Sequence, residues 1–117
     1  MKLSSFGENL VFSQEKIHTQ VVLESDFSKE IRIAMSEGQI MKEHQTKFPI
    51  VVHILEGTIN FGVAGNVHTM KKGDIIALEG NVPHDLKALE NSVVRLTLSK
   101  QDVVSRVEEV VRQSEKQ

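Results

Sequence analysis

Apolar and polar residues alternate one by one through most of this chain. From Glu30, the residues Ile31, Ile33 and Met35 alternate with Glu30, Arg32 and Ala34, the period of a strand with one buried face. Ile59, Phe61 and Val63 alternate with Thr58, Asn60 and Gly62. His84, Leu86 and Ala88 alternate with Asp85 and Lys87, and Val94, Leu96 and Leu98 with Val93, Arg95 and Thr97. Shorter apolar runs in Thr19 to Glu24, Val67 to Met70 and Ile75 to Leu78 predict further strands. Ile50 to Leu55 departs from the alternation. It is apolar on both faces apart from His53, which predicts a central strand or one whose outer face a partner closes.

Turn chemistry separates these runs. Ser25 to Ser28, Ser36-Glu37-Gly38, Gly57, Ala64-Gly65-Asn66, Lys71 to Asp74 and Glu90-Asn91-Ser92 all carry turn-forming residues, and Gly-Asn is a favoured hairpin pair. Roughly seven or eight short strands with turns every eight to twelve residues predict an all-β barrel or sandwich. The connections are too tight for crossover helices, which excludes a parallel α/β sheet.

The two ends break the pattern. Residues 1–18 show no sustained period and predict an N-terminal arm, with Leu10-Val11-Phe12 as its apolar anchor; residues 19–98 form the barrel. In residues 99–117 the valines at 103, 104, 107, 110 and 111 fall on one helical stripe. Ser99 with Asp102 resembles a capping box, so this stretch predicts a short C-terminal α-helix that needs packing to hold it.

Composition narrows the reading. A chain of 117 residues has room for one core. Aromatics are 4% with no Trp or Tyr, so aliphatic side chains fill the core and base-stacking platforms are not expected. A net charge of −2 supplies no basic footprint for nucleic acid. No apolar run is long enough to span a bilayer, and the first residues lack the apolar centre of a secretion signal. The absence of cysteine excludes disulfides, thiolate nucleophiles and Cys-ligated metals. Together these predict a cytoplasmic protein without membrane or nucleic-acid partners.

Two glycine-bounded blocks each carry a histidine on an inward-facing position. The first runs from Gly38 through His44 to Glu56-Gly57, and the second from Gly73-Asp74 through Pro83-His84. Over residues 30–98 these blocks resemble the paired motifs of the cupin superfamily, in the style of its small single-domain conserved-barrel members. The resemblance implies a double-stranded β-helix, or jelly-roll barrel, with a C-terminal helix added. Gly38, His44 and Gly57 match the spacing of the family's first motif, and Gly73-Asp74 and His84 match the second. Thr46 stands at the second histidine position of the first motif and Ile50 at its glutamate. In the second motif Glu79 stands at the usual proline and Ala88 at the usual asparagine.

The resemblance implies a metal site of three histidines and one glutamate, of which only His44 and His84 are present. Two imidazoles leave most of a coordination sphere to water, and Ile50 makes the pocket more apolar and less hospitable to a cation. A divalent metal (Zn, Fe, Mn or Ni) is therefore expected to be at most weakly held, with His44 and His84 as its ligands. Glu43 neighbours His44 and points to the opposite face. The expected pocket is lined by His44, Thr46, Phe48, Ile50, Val52, Phe61 and His84. Of the other histidines, His53 is expected on the outer face, His68 in a structural position and His18 in solvent. Met35 and Met41 are expected in the core or beside the pocket. Glu56, Lys72 and Asp74 belong to turns, and no serine sits in a nucleophile elbow.

Three functions follow from this pattern. The first is a barrel that binds a small, partly apolar ligand bearing an anionic or carbonyl group. The second is a metal-dependent dioxygenase- or isomerase-like enzyme using His44 and His84. The third is a sensory or regulatory module that acts through a partner. All three carry the expectation of a homodimer, because Ile50 to Leu55, the first strand and the valine stripe offer more apolar surface than one small barrel covers.

Overall fold

The computed structural model describes residues 1–100. The predicted C-terminal helix lies outside the described residues. Among these residues nine strands form: β1 (His18–Glu24), β2 (Ser28–Met35), β3 (Ile40–His44), β4 (Ile50–Glu56), β5 (Thr58–Val63), β6 (Asn66–Lys71), β7 (Ile75–Leu78), β8 (His84–Ala88) and β9 (Ser92–Ser99). They make a five-stranded sheet in the order β1-β2-β9-β4-β7 and a four-stranded sheet in the order β3-β8-β5-β6. Every pairing is antiparallel. The fold is all-β, as the alternation predicts, and its two antiparallel sheets make the jelly-roll that the family resemblance implies.

The core lies between the two sheets. The five-stranded sheet contributes Ile33, Met35, Ile50, Val52, Ile54 and Val94, and the four-stranded sheet Ile59, Phe61, Met70, Leu86 and Ala88. These are the inward positions of the alternating runs. Ile50–Glu56 sits between β9 and β7, the central placement predicted for a strand apolar on both faces.

Three expectations change. β3 is a strand that the hydrophobic pattern does not show: Ile40, Lys42, Glu43 and His44 are exposed and only Met41 is half-buried. An edge strand over the mouth of a barrel has little apolar surface to bury, so its sequence reads as a loop. At the β5–β6 hairpin the two turn residues are Ala64 and Gly65, both at positive φ (51° and 81°), the signs of a type I′ turn; Asn66 belongs to β6 and pairs with Val63. β2, expected to have one buried face, has two. Glu30, Arg32 and Ala34, on its outer side, are 5%, 1% and 0% exposed.

What covers that outer side is the N-terminal arm, held less by its apolar side chains than by its main chain. Of the expected anchor Leu10-Val11-Phe12, Leu10 and Val11 remain exposed and Phe12 is half-buried. The carbonyls of Phe6 and Glu8 accept hydrogen bonds from Arg32 Nη1 at 2.7 and 2.8 Å. Asn9 O and Gln20 Oε1 accept from Nη2. Further along, Ser13 O accepts from Ser36 Oγ and from Gln39 Nε2. A buried guanidinium thus meets carbonyl dipoles rather than a carboxylate, and the arm is closed over the sheet as a result.

Beside it, Glu30 accepts from Ser28 Oγ, Arg95 Nε and Thr97 Oγ1 at 2.7, 2.9 and 2.6 Å. Burial pushes this carboxyl up, but the bonds from Thr97, Ser28 and Arg95 outweigh it and hold the group below the ordinary glutamate range. The Arg95 guanidinium also lies 5.6 Å from the centre of the Phe6 ring, a cation–π contact that ties the arm to β9.

Two turns fix the frame of the histidine blocks. Gly57 has φ of 85°, and a Cβ there would lie 2.6 Å from Asn91 O and 2.7 Å from Ser92 Cα, so only glycine fits. Asp74 closes the turn before β7: its N–H donates to Lys71 O and its Oδ2 accepts from Lys71 N–H, both at 2.8 Å.

Candidate functional site

β3 and β8 are paired with His44 directly opposite His84. Opposed residues of an antiparallel pair present their side chains on the same face, and the two imidazoles meet edge to face with centroids 4.3 Å apart. Behind His84, Phe61 stacks nearly parallel at 5.6 Å. His84 is 3% exposed, whereas His44 is exposed at the end of its strand. One ring therefore sits in the wall and the other at the rim.

Each ring has its orientation fixed by its own backbone. Nδ1 of His44 lies 2.8 Å from Lys42 O, and Nδ1 of His84 lies 2.9 Å from Val82 O. A carbonyl can only accept, so in both rings Nδ1 carries the hydrogen and Nε2 of the neutral imidazole is left as an acceptor.

Both histidines line a small cavity with Ile33, Met41, Thr46, Ile50, Val52, Leu86, Val94 and Leu96. Its volume is about 30 Å³, room for about two waters when one needs roughly 10–15 Å³. Apart from the histidines and Thr46 the lining is aliphatic. The Thr46 hydroxyl donates to Phe48 O at 2.9 Å, so towards the cavity its oxygen can act only as an acceptor. Thr46 O in turn accepts from Asn81 N–H at 2.7 Å, which joins the loop after His44 to the loop before His84.

Of the seven residues expected around the pocket, His44, Thr46, Ile50, Val52 and His84 surround this cavity. Phe61 lies one layer behind, fully buried against His84. Phe48 is not among the lining residues; its backbone packs against Gly80, where a Cβ would meet Phe48 Cα at 3.2 Å. Met41 on β3, expected in the core or beside the pocket, also lines it, and Ile33, Leu86, Val94 and Leu96 complete the lining; the signal that finds these four is their place on inward positions of alternating strands. Glu43 faces a different hollow, shared with Gly62, Pro83 and Asp85 on the far side of the sheet.

The other histidines stand apart. His53 lies on β4 with its face turned away from the core residues Val52 and Ile54, paired with Arg95 and Ile75. His68, expected to be structural, is exposed. His18, expected in solvent, opens β1 half-buried, and its Nδ1 is buried without a partner among the described residues.

Among the described residues no group of three or more His, Asp or Glu is placed to hold a metal ion. Two imidazoles, a threonine already bonded to the main chain and aliphatic walls do not fit the four-ligand centre that the family resemblance implies. No helix among the described residues is long and apolar enough to cross a membrane.

Comparison with known proteins agrees with the geometry. A comparison with curated proteins finds no match. An RmlC-like cupin from Desulfovibrio desulfuricans superposes with a TM-score of 0.76 at 22% identity, covering 85% of this chain and 96% of that one. An RmlC-like cupin with a double-stranded β-helix fold from Methanocaldococcus jannaschii superposes with a TM-score of 0.73 at 13% identity, over 91% and 96% of the two chains. A conserved protein of unknown function from Streptococcus pyogenes gives 0.72 at 18% identity, over 85% and 87%. At these identities the likeness is one of fold. The sequence profile of the Cupin domain matches residues 31–100, more than half of the chain and both histidine blocks, and the chain therefore belongs to the cupin family.

Proposed function

We propose that this protein is a ligand-binding cupin that holds one end of a small molecule in the cavity lined by His44 and His84, without a tightly held metal. The observation that carries this reading is the pair of Nδ1 bonds to Lys42 O and Val82 O. They leave two Nε2 acceptors on adjacent rings at the mouth of an aliphatic cavity. Neutral imidazoles in this state take a ligand hydroxyl or amine donor; an anionic or carbonyl group requires one ring to be protonated.

The cavity sets the size of what enters. Pockets that enclose a whole metabolite run to roughly 300 Å³ or more, and this one is a tenth of that. A short apolar stub fits among Ile33, Ile50, Val52 and Leu86, while the rest of the molecule stays at the rim beside exposed His44. No step through a metal follows from this donor set.

The test is a titration of the isotope-labelled protein with short-chain alcohols and the matching carboxylates, followed by NMR. Alcohols are expected to shift the methyl signals of Ile33, Ile50 and Leu86, with affinity reduced roughly tenfold by either His44→Ala or His84→Ala, the cost of about one good hydrogen bond. The matching carboxylates, which offer no donor to the Nε2 acceptors, are expected to bind more weakly than the alcohols. Binding that survives both substitutions, or that needs added zinc or nickel, would remove this reading.

A further inference from the structure

Among the described residues, every one that lines the histidine cavity stands on a strand except Thr46. Thr46 belongs to a crossover. Residues 45–49 carry the chain from β3 in the four-stranded sheet to β4 in the five-stranded one, and residues 79–83 carry it back from β7 to β8. A wall residue on a strand cannot give way without loss of ladder bonds. Thr46 is under no such constraint and can move while both sheets stay intact.

What holds Thr46 is the other crossover. Asn81 N–H donates to Thr46 O at 2.7 Å, from a backbone with φ of 63°, a left-handed conformation that asparagine adopts more readily than most residues. One residue earlier the two crossovers touch. A Cβ at Gly80 would lie 2.3 Å from Lys47 O, 3.0 Å from the Lys47 carbonyl carbon and 3.2 Å from Phe48 Cα. Gly80 is not left-handed, so space and not conformation selects glycine there. One residue later, Val82 O lies 2.9 Å from Nδ1 of His84. Three consecutive residues thus seat the buried ring and clamp the movable wall.

We infer that Gly80 and Asn81 latch Thr46 and so set the length of apolar chain that the histidine pocket admits, an inference that rests on the ligand-binding reading of the same cavity. With the latch closed, the cavity of about 30 Å³ takes a short stub. A longer chain enters only when the bond from Asn81 N–H to Thr46 O opens. That bond lies outside both ladders, so breaking it costs no strand pairing and belongs to local rather than global opening. The Thr46 hydroxyl is bonded to Phe48 O at 2.9 Å within its own crossover, so residues 46–48 swing as one piece. A clamp that merely tied the two sheets together would change stability but not the length of ligand admitted.

The probes are the linear alcohols from methanol to hexanol, titrated by NMR into the full-length wild type and into Gly80→Ala, whose added methyl must push residues 47 and 48 away. In the wild type, affinity is expected to stop rising after about two carbons, the chain that a space of about two waters accommodates. In Gly80→Ala it should keep rising by about fourfold per added CH₂, the factor that burial of one such group supplies. The same cut-off in both proteins would overturn the latch and leave the pocket standing, whether or not the Asn81 amide of the variant keeps its protection from hydrogen exchange. No alcohol binding by either protein would overturn both. A second measurement needs no variant. Hexanol near its solubility limit is expected to speed exchange of the wild-type Asn81 amide about tenfold, by favouring the locally open state. The Gly73 amide, bonded to Ile54 O at 2.8 Å at the other end of β4, should not respond. An Asn81 amide that exchanges alike with and without hexanol would overturn the inference as well.

Discussion

On the inner side of β2, Ile33 and Met35 are buried among aliphatic neighbours from both sheets; on its outer side, Glu30 and Arg32 are buried just as deeply beneath an arm of irregular backbone. The inner face needs only volume and shape. Any apolar residue of similar size satisfies it, and the transfer from water supplies the driving force. The outer face needs partners, because a charge removed from water is costly until its hydrogen bonds are met. Those partners come from far away in the sequence: Phe6, Glu8, Asn9 and Gln20 for Arg32, and Arg95 and Thr97 for Glu30. One strand therefore joins a tolerant core to an exacting polar layer, and substitutions on its two sides should fail in different ways.

The largest effect is expected inside. Phe61 is fully buried between the sheets and stacks on His84. Phe61→Ala removes a large side chain from a packed core and should cost about 4 kcal/mol in denaturant unfolding. The loss should be global, with the arm opening only as the whole domain unfolds. Arg32→Ala comes next, at about 3 kcal/mol, because it leaves a cavity and strips four acceptors of their donor. Here the failure should be local. Limited proteolysis is expected to cut between Phe6 and Ser13 under conditions where the sheets stay intact. If Phe61→Ala releases the arm as readily as Arg32→Ala does, the distinction between the two faces is wrong.

The same contrast explains what the sequence discloses. Alternation finds the strands whose one face is core, including the inward positions that line the cavity, because a period of two is the direct imprint of one-sided burial. Gly57 and Gly73-Asp74 are legible for a similarly local reason, since a positive φ or a turn bond selects its own residue. β3 is hidden because it buries almost nothing, although His44 on it can still be placed by motif spacing. Arg32 and Glu30 look like the solvent face of a strand, and only long-range partners make them interior. The seat of each histidine ring is equally invisible: the bonds of Nδ1 to Lys42 O and Val82 O depend on backbone geometry, not on which residues 42 and 82 happen to be. The size of the cavity is set by side chains from five strands and cannot be read from any one segment.

Acid should sharpen the comparison further. The Glu30 carboxyl titrates below its ordinary range in the folded protein, so its ionised form is favoured by folding. Its contribution is fully present above the unfolded value, near pH 4.3 for a model glutamate, and is lost as the pH falls through the depressed folded value. Glu30→Gln keeps the shape but not the charge, and at neutral pH should cost about 2 kcal/mol through weakened bonds to Ser28, Arg95 and Thr97. As the pH falls below the unfolded value the wild type should approach the variant, and the two should converge once the folded carboxyl is itself protonated, since both are then uncharged at this position. A stability difference that stayed constant from pH 7 to pH 3 would mean that the carboxylate charge is not what holds the outer layer together. No such convergence is expected for Phe61→Ala, whose cost is one of volume.

An ion pair on the open surface supplies the lower bound of the series. Lys72 Nζ lies 3.1 Å from Glu56 Oε1, with side chains 69% and 59% exposed, while the Arg95–Glu30 pair is formed at 2.9 Å with Glu30 only 7% exposed. The distances are alike, so distance alone predicts equal contributions. Solvent decides otherwise. Water already solvates both partners of the exposed pair, and holding two long side chains together costs entropy that the screened attraction barely offsets. Lys72→Ala should therefore change stability by no more than about 0.5 kcal/mol, and that small change should fade as salt is added. The partly buried pair should keep most of its contribution at the same ionic strength. Denaturant curves for Lys72→Ala and Glu30→Gln, each at low and high salt, compare the two directly. A loss above about 1 kcal/mol for Lys72→Ala would place it outside the range of exposed pairs, and burial would no longer account for what makes the outer face of β2 exacting.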